Sequence, residues 1–184
     1  TITVTPNIVE VGVTVTSVVL NWILSRSPAT SISVTDVSSV SVNDINRSVT
    51  LNSLNLTTNK TYTLTINDNS NITTSSATVR FLFKNYWGAS VSNNPSNSDV
   101  LNFTNSGFLN TKNGIYSYSA LNNQYIYLAF PASYGTPIFT VNGLIVTFDL
   151  IPINSFVNAS GGVTNYSLYK SINPLNGSVT INVS

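Results

Sequence analysis

Between Ser76 and Lys84, Ala77, Val79, Phe81 and Phe83 alternate with Thr78, Arg80, Leu82 and Lys84. A period of two belongs to a strand, not a helix, and sets one apolar row against a core. The run closes on Tyr86-Trp87-Gly88, two large aromatics and a residue that tolerates any backbone turn. Before it the sequence reads as a small repetitive β domain; after it Tyr, Phe and Asn-Gly turns become frequent. This predicts an all-β chain of two domains, 1–84 and 85–184, each large enough for a modest core of its own. Tyr86 and Trp87 fall either at the junction or in the second core.

Composition supports the strand reading. Hydrophobic residues make up 42% of the chain, enough for a core, yet only 7% is charged, against about 25% in ordinary soluble domains. Ser, Thr and Asn supply the polarity, and they disfavour helix interiors. A net charge of +1 without a basic run gives no footprint for nucleic acid or anionic lipid. No apolar run reaches the ~20 residues of a membrane-spanning helix, so membrane insertion is not expected. Cys, His and Met are absent, which removes disulfides, thiolate metal sites and cysteine nucleophiles. A start at Thr1 leads to the expectation of a mature product or an excised fragment. Such a composition suits an extracellular particle or surface structure.

In the first domain Thr1 to Thr5 alternate, and Pro6-Asn7 interrupts them. Val9, Val11, Val13 and Val15 continue around Gly12, and then the parity changes to Val18, Leu20, Trp22 and Leu24. A change of parity at Thr16-Ser17 predicts a bulge or a switch of sheet. Further strands are read at Ile32 and Val34, at Val49 and Leu51, and most clearly at Thr61–Ile66, with Tyr62, Leu64 and Ile66 inward. Asn67-Asp68-Asn69-Ser70-Asn71 reads as a polar hairpin loop. Around seven short strands with a buried Trp on the second predict a two-sheet sandwich.

Leu56 followed six positions later by Tyr62 resembles the tyrosine corner of fibronectin type III and immunoglobulin-like modules, and Val18-Val19-Leu20-Asn21-Trp22 resembles their core-Trp strand. That resemblance implies an Ig/FnIII-like architecture and no particular ligand.

In the second domain Ser98-Asp99-Val100-Leu101 reads as one helical turn with Ser98 as N-cap. Ile115–Tyr118 and Gln124–Phe130 read as separate strands flanking Asn122-Asn123, with Tyr134-Gly135-Thr136-Pro137 as a loop. Asn142-Gly143 between Ile138–Val141 and Leu144–Phe148 predicts a tight type I′ hairpin. Tyr166, Leu168 and Lys170 alternate in a later strand, and Asn176-Gly177 is read as a turn into a closing strand, Val179–Val183. The second domain is thus expected to be another antiparallel sandwich, jelly-roll-like.

Several segments occur in order: Lys84-Asn85-Tyr86-Trp87-Gly88-Ala89-Ser90, Tyr125–Pro131, Tyr134-Gly135, Val141-Asn142-Gly143-Leu144, Asn158-Ala159-Ser160-Gly161, Tyr166–Ser171 and Asn176-Gly177-Ser178. Together they resemble the C-terminal fibre modules of structural proteins from tailed bacteriophages, especially crAss-like phages, in which an immunoglobulin-like module commonly precedes this domain. The resemblance covers nearly the whole chain and departs most between Val91 and Asn113. It implies a virion location and other virion proteins as partners. It transfers no binding residue.

The chemistry available is narrow. Without His or Cys the common triads and zinc sites cannot be assembled from this chain. Glu10, Asp36, Asp44, Asp68, Asp99 and Asp149 are scattered singly, whereas glycoside hydrolysis needs two carboxylates brought to ~5–10 Å. Asp36 with Asp44, or Asp68, are the candidates for a calcium site, set against solvated turn carboxylates. No phosphate-binding glycine loop occurs. No enzymatic activity, cofactor or metal is expected. Tyr116, Tyr118, Tyr125, Tyr127 and Tyr134 form the pool that could stack on sugar rings, set against a core or cross-strand ladder. Asn46, Asn55, Asn59, Asn71, Asn158 and Asn165 begin Asn-x-Ser/Thr triplets, which matter only in a glycosylating cell.

The leading expectation is a non-enzymatic phage virion protein, a head- or tail-fibre module contacting the bacterial surface, with a host glycan as possible ligand. Fibre analogy adds self-association, with a trimer as one form. Two alternatives stand beside it. One is a subunit of an extracellular filament or pilus that donates its Thr1 to Val15 segment to a neighbour's sheet. The other is a carbohydrate-binding accessory module.

Overall fold

The computed structural model describes every residue except Ala29, Ser70, Thr104, Asn110 and Ser160, and it is nearly all-β. The chain divides into two compact units, Thr1–Phe81 and Leu82–Ser184, slightly ahead of the boundary read from the sequence.

The first unit is built on β1 (Ile2–Thr5), β2 (Ile8–Glu10), β3 (Val18–Ile23), β4 (Ser31–Val34), β5 (Asn46–Leu51), β6 (Lys60–Asp68) and β7 (Asn71–Leu82). They form a three-stranded sheet in the order β1-β3-β5 and a four-stranded sheet in the order β2-β7-β6-β4. Both sheets feed one core. Ile2, Val4, Val18, Leu20 and Trp22 come from the first sheet, and Val9, Ile32, Val34, Tyr62, Leu64 and Val79 from the second. The parity change before Val18 is a change of sheet, since β2 and β3 belong to different ones. Trp22 is anchored at its polar end, where Nε1 donates to the Asp44 carbonyl at 2.7 Å.

Several expectations need correction here. The run from Val9 to Val15 is not one strand: β2 stops at Glu10, and the chain turns at Val11-Gly12, where Gly12 takes φ +97°. Val13 and Val15 reach the core from irregular backbone, Val15 by a bridge to Leu56. The loop after β6 is tighter than predicted, because Asp68 already pairs with Asn71. Ser70, within that predicted loop, lies outside the described residues. Phe83 does not extend the apolar row of β7; its ring meets Tyr134 edge-on at 6.0 Å in the second unit.

The tyrosine corner is also missing its defining bond. Tyr62 is fully buried, but among the described residues its hydroxyl has no hydrogen-bond partner. The ring is held by packing and by the Lys60 ammonium, 5.6 Å from its centroid. A corner hydroxyl would make replacement by Phe cost about 0.5–1.5 kcal/mol. Here Tyr62→Phe removes an unsatisfied buried group, so denaturant unfolding should show the variant equal to or more stable than the parent.

The second unit contains β8 (Lys84–Ser90), α1 (Asn97–Leu101), β9 (Asn105–Phe108), β10 (Gly114–Pro131), β11 (Phe139–Val141), β12 (Leu144–Val146), β13 (Phe148–Val157), β14 (Val163–Ser171) and β15 (Leu175–Val183). Its eight-stranded sheet follows the path β12-β11-β15-β10-β14-β13, with β8 paired to β10 and β9. β12 and β13 are the two ends of that path, yet only Thr147 separates them along the chain. The sheet must therefore curl far enough to bring the end of β12 near the start of β13, and it wraps a core of Tyr116, Ile126, Leu128, Phe130, Tyr169 and Ile181.

β10 explains the curl. The two strands expected on either side of Asn122-Asn123 are one, interrupted by register shifts between Tyr118 and Leu121 and between Leu121 and Gln124. Ala120 and Asn123 take positive φ there, so the Asn pair serves irregularities within a strand rather than a hairpin. The first half of β10 pairs with β15 and the second half lies between β14 and β8. That second half is buried on both faces, with Ile126, Leu128 and Phe130 in one cluster and Tyr127 and Ala129 in another.

The Asn142-Gly143 hairpin forms as predicted, with φ of +51° and +78°. By contrast, Asn176-Gly177 lies inside β15, where Gly177 sits opposite Leu121. The helical turn starts earlier than expected. Its cap is Ser96, not Ser98, and Asp99 completes a capping box with the Ser96 backbone. Tyr86 packs on Phe156 and Tyr166, and Trp87 on Tyr116, so both aromatics have their ring contacts within the second unit.

Candidate functional site

The tyrosine pool does not form a sugar platform. Tyr116 and Tyr118 are buried on the inner face of the first half of β10 and Tyr127 in its enclosed second half, and their hydroxyls donate to the carbonyls of Lys112 (3.0 Å), Tyr127 (2.8 Å) and Ser92 (2.5 Å). Burial pushes all three phenols upward, Tyr127 to about 12. Tyr134 is half-buried and donates to the Leu109 carbonyl at 2.6 Å. Tyr125 is half-buried with the Lys170 ammonium 4.8 Å from its ring centroid. In the first half of β10 the alternation is that of a core row, with Tyr116 and Tyr118 inward and Ile115 and Ser117 outward, and in the second half both faces are buried.

The acids are equally engaged. Asp36 pairs with Lys60 at 2.8 Å, Asp44 with Arg47 at 2.6 Å, Asp68 with Arg26, and Asp149 with Lys170 at 3.3 Å. Asp99 caps α1, where hydrogen bonds from the Ser96 side chain and backbone hold its carboxyl below the ordinary value. The Ser41 N–H and Arg47 do the same for Asp44. Asp36 and Asp44 are thus committed to separate partners, and among the described residues no three acids gather as a metal site.

Of the Asn-x-Ser/Thr candidates, Asn46, Asn55, Asn59, Asn71 and Asn165 are exposed. Asn158 is buried and its Oδ1 accepts from the Gly162 N–H at 2.8 Å, which makes it a loop-shaping side chain. Ser160, the third residue of its triplet, lies outside the described residues. Asn59 and Asn165 also serve the fold, accepting from the N–H groups of Phe81 and Ser155.

What the surface does offer is apolar. In the first unit a hollow of about 640 Å³ lies among Thr1, Ile23, Arg26, Asp68 and Thr73, with no aromatic ring in its wall and its charges paired to each other. In the second unit two grooves flank the β11–β12 hairpin. One, about 340 Å³, is walled by Val146, Phe148, Ile172, Leu175 and Val179. The other, about 280 Å³, is walled by Ile138, Phe139, Ile145, Leu150 and Tyr169. Between them the hairpin holds Leu144 and Ile145 72% and 76% exposed.

Comparison with protein-family models, curated proteins and solved structures finds no match.

Two groups of residues were missed from the sequence. Lys170 is buried, donates to Asn93 Oδ1 at 2.5 Å and pairs with Asp149, clamping the segment after β8 to β13 and β14. The alternation of Tyr166, Leu168 and Lys170 already placed that ammonium inward. The apolar edge at Leu144–Val146 was visible as half of a hairpin. Only the strand order shows that its outer side has no neighbour in the sheet among the described residues.

Proposed function

We propose that the chain is a non-enzymatic structural module of a tailed-phage virion, a part of a head or tail fibre exposed to the host surface. In this reading the units are tandem antiparallel sandwiches, the first Ig/FnIII-like and the second jelly-roll-like. The observation that carries it is the commitment of reactive side chains to internal contacts. Asp36, Asp44, Asp68 and Asp149 are each ion-paired, and Tyr116, Tyr118, Tyr127 and Tyr134 each donate to a carbonyl. What remains is a weakly charged β scaffold, suited to holding a shape and to many weak contacts whose strength comes from multivalency. Its partners would be other virion proteins, further copies of itself and a host-surface glycan.

Antibodies raised against the purified chain should decorate appendages of intact particles, and the free protein should compete with phage adsorption to the host. Particles that carry no such antigen overturn the reading. The filament-subunit alternative has one observation in its favour. β1 is an edge strand with buried Ile2 and Val4, a segment of the right kind to be exchanged. An intact mass of 19.8 kDa supports the virion module. Added hexose mass, with Asn46, Asn55 and Asn71 as exposed acceptors, supports the filament.

A further inference from the structure

We infer that β12 is a self-pairing edge, at which a second copy of this chain adds its own β12 antiparallel across a two-fold axis. The inference deepens the reading of the chain as a self-associating module, rests on it for that expectation, and names the surface responsible.

The hydrogen-bond pattern fixes which residue faces outward. With the two-residue Asn142-Gly143 loop, Val141 and Leu144 form the bonded closing pair. Bonded and non-bonded pairs alternate along an antiparallel ladder, so Thr140 and Ile145 are a non-bonded pair. The N–H and C=O of Ile145 therefore point away from β11, toward the side where the sheet path ends. Two copies centred on Ile145 would exchange both bonds, and Leu144 of each would lie beside Val146 of the other.

The two ends of the path from β12 to β13 are treated differently, which favours occupation of β12 over β13. β13, at the opposite end, carries Pro152, Asp149 and a register shift between Ile153 and Phe156. The Asn97 side chain also occupies its backbone, donating to the Val157 carbonyl at 3.0 Å and accepting from the Val157 N–H at 2.9 Å. Proline, charge, bulges and covering groups are the usual protections of a sheet edge. β12 has no proline, no charge and no bulge, and no charged residue occurs from Phe130 to Phe148. A like copy approaches it without repulsion, and its exposed Ile145 and Leu144 would cover the grooves on either side of the hairpin.

Light scattering across about 1 μM to 1 mM, the range of weak specific association, should show the molar mass rising from one chain to two. Ile145→Lys should remain a monomer throughout while keeping the parent's thermal unfolding curve. Ile72→Lys, which removes an exposed apolar residue from the first unit, should associate as the parent does. In the parent, the Ile145 amide should gain hydrogen-exchange protection with concentration, a readout that does not depend on any variant folding. A constant single-chain mass, a trimer, or association that survives Ile145→Lys overturns the inference. None of these results alters the labelling of virions, so the two proposals fail separately.

Discussion

Replacing Trp22 by alanine is expected to destabilise the first unit by about 3–5 kcal/mol, the range for removing a large buried aromatic. Trp22 is 1% exposed, in the middle of β3, and shares its core with residues of both sheets. The loss has two parts that a second variant separates. Trp22→Phe keeps most of the apolar contact but orphans the Asp44 carbonyl that Nε1 reaches. A fully buried unsatisfied acceptor costs about 1–3 kcal/mol, and this part-buried one should cost less. The Arg47 guanidinium, 5.8 Å from the ring centroid, loses its aromatic neighbour only in the alanine variant. Denaturant unfolding monitored by circular dichroism should rank parent above Trp22→Phe and that above Trp22→Ala. Since whole domains are stable by only about 5–15 kcal/mol, the alanine variant should lie close to unfolding. Equal stability of alanine variant and parent would mean that this core does not hold the unit together.

The second large effect is alkaline unfolding. Tyr116, Tyr118 and Tyr127 are raised chiefly by desolvation, Tyr127 to about 12. An unfolded phenol titrates near ~10. The folded state therefore keeps its phenolic protons longer than the unfolded one. That contribution to stability is complete below about pH 10 and is lost as the pH climbs toward and beyond about 12. Melting temperature should fall steeply over that interval, with tyrosinate absorbance appearing together with loss of strand signal. On the acid side the sign reverses. The lowered carboxyls of Asp44 and Asp99 stabilise above about pH 4 and stop doing so as they are protonated, a small effect because both are solvent-accessible. With no His or Cys side chain in the sequence, stability should vary little from about pH 5 to 9. A side-chain transition within that interval, or phenols that ionise near ~10 without unfolding, would contradict the burial of β10.

Where one face of a strand was wet, the alternation was readable. Val18, Leu20 and Trp22, then Tyr62 and Leu64, were assigned inward from period alone and are buried. The Asn142-Gly143 turn was equally plain, because positive φ at two successive residues is demanded by few other structures. The pattern failed where a strand is enclosed or irregular. β13 hides behind Pro152, Asn154 and Ser155, with Phe156 its one buried residue, so it carries neither period. Ser96 and Ser98 both offer a capping hydroxyl, and the deciding signal was Asp99 standing three residues after Ser96. The tyrosines misled for the reason that made them conspicuous. Aromatics with polar tips suit an exposed ligand face, but they equally suit a core in which backbone carbonyls are near enough to receive each hydroxyl. The free edge at β12 was beyond local reasoning, because which strand lacks a neighbour depends on pairings between residues far apart in sequence.

β10 also has a kinetic meaning. Its ladders join Tyr125 to Ser90, Leu128 to Tyr169 and Gly114 to Val183, so no partner is supplied by a neighbouring hairpin. Chain entropy must be surrendered over long loops before any of these contacts rewards it, which places such topologies among slow folders, on the order of milliseconds to seconds. The second unit therefore cannot mature until its last residues have been made, and the central strand, released early in synthesis, must wait for them.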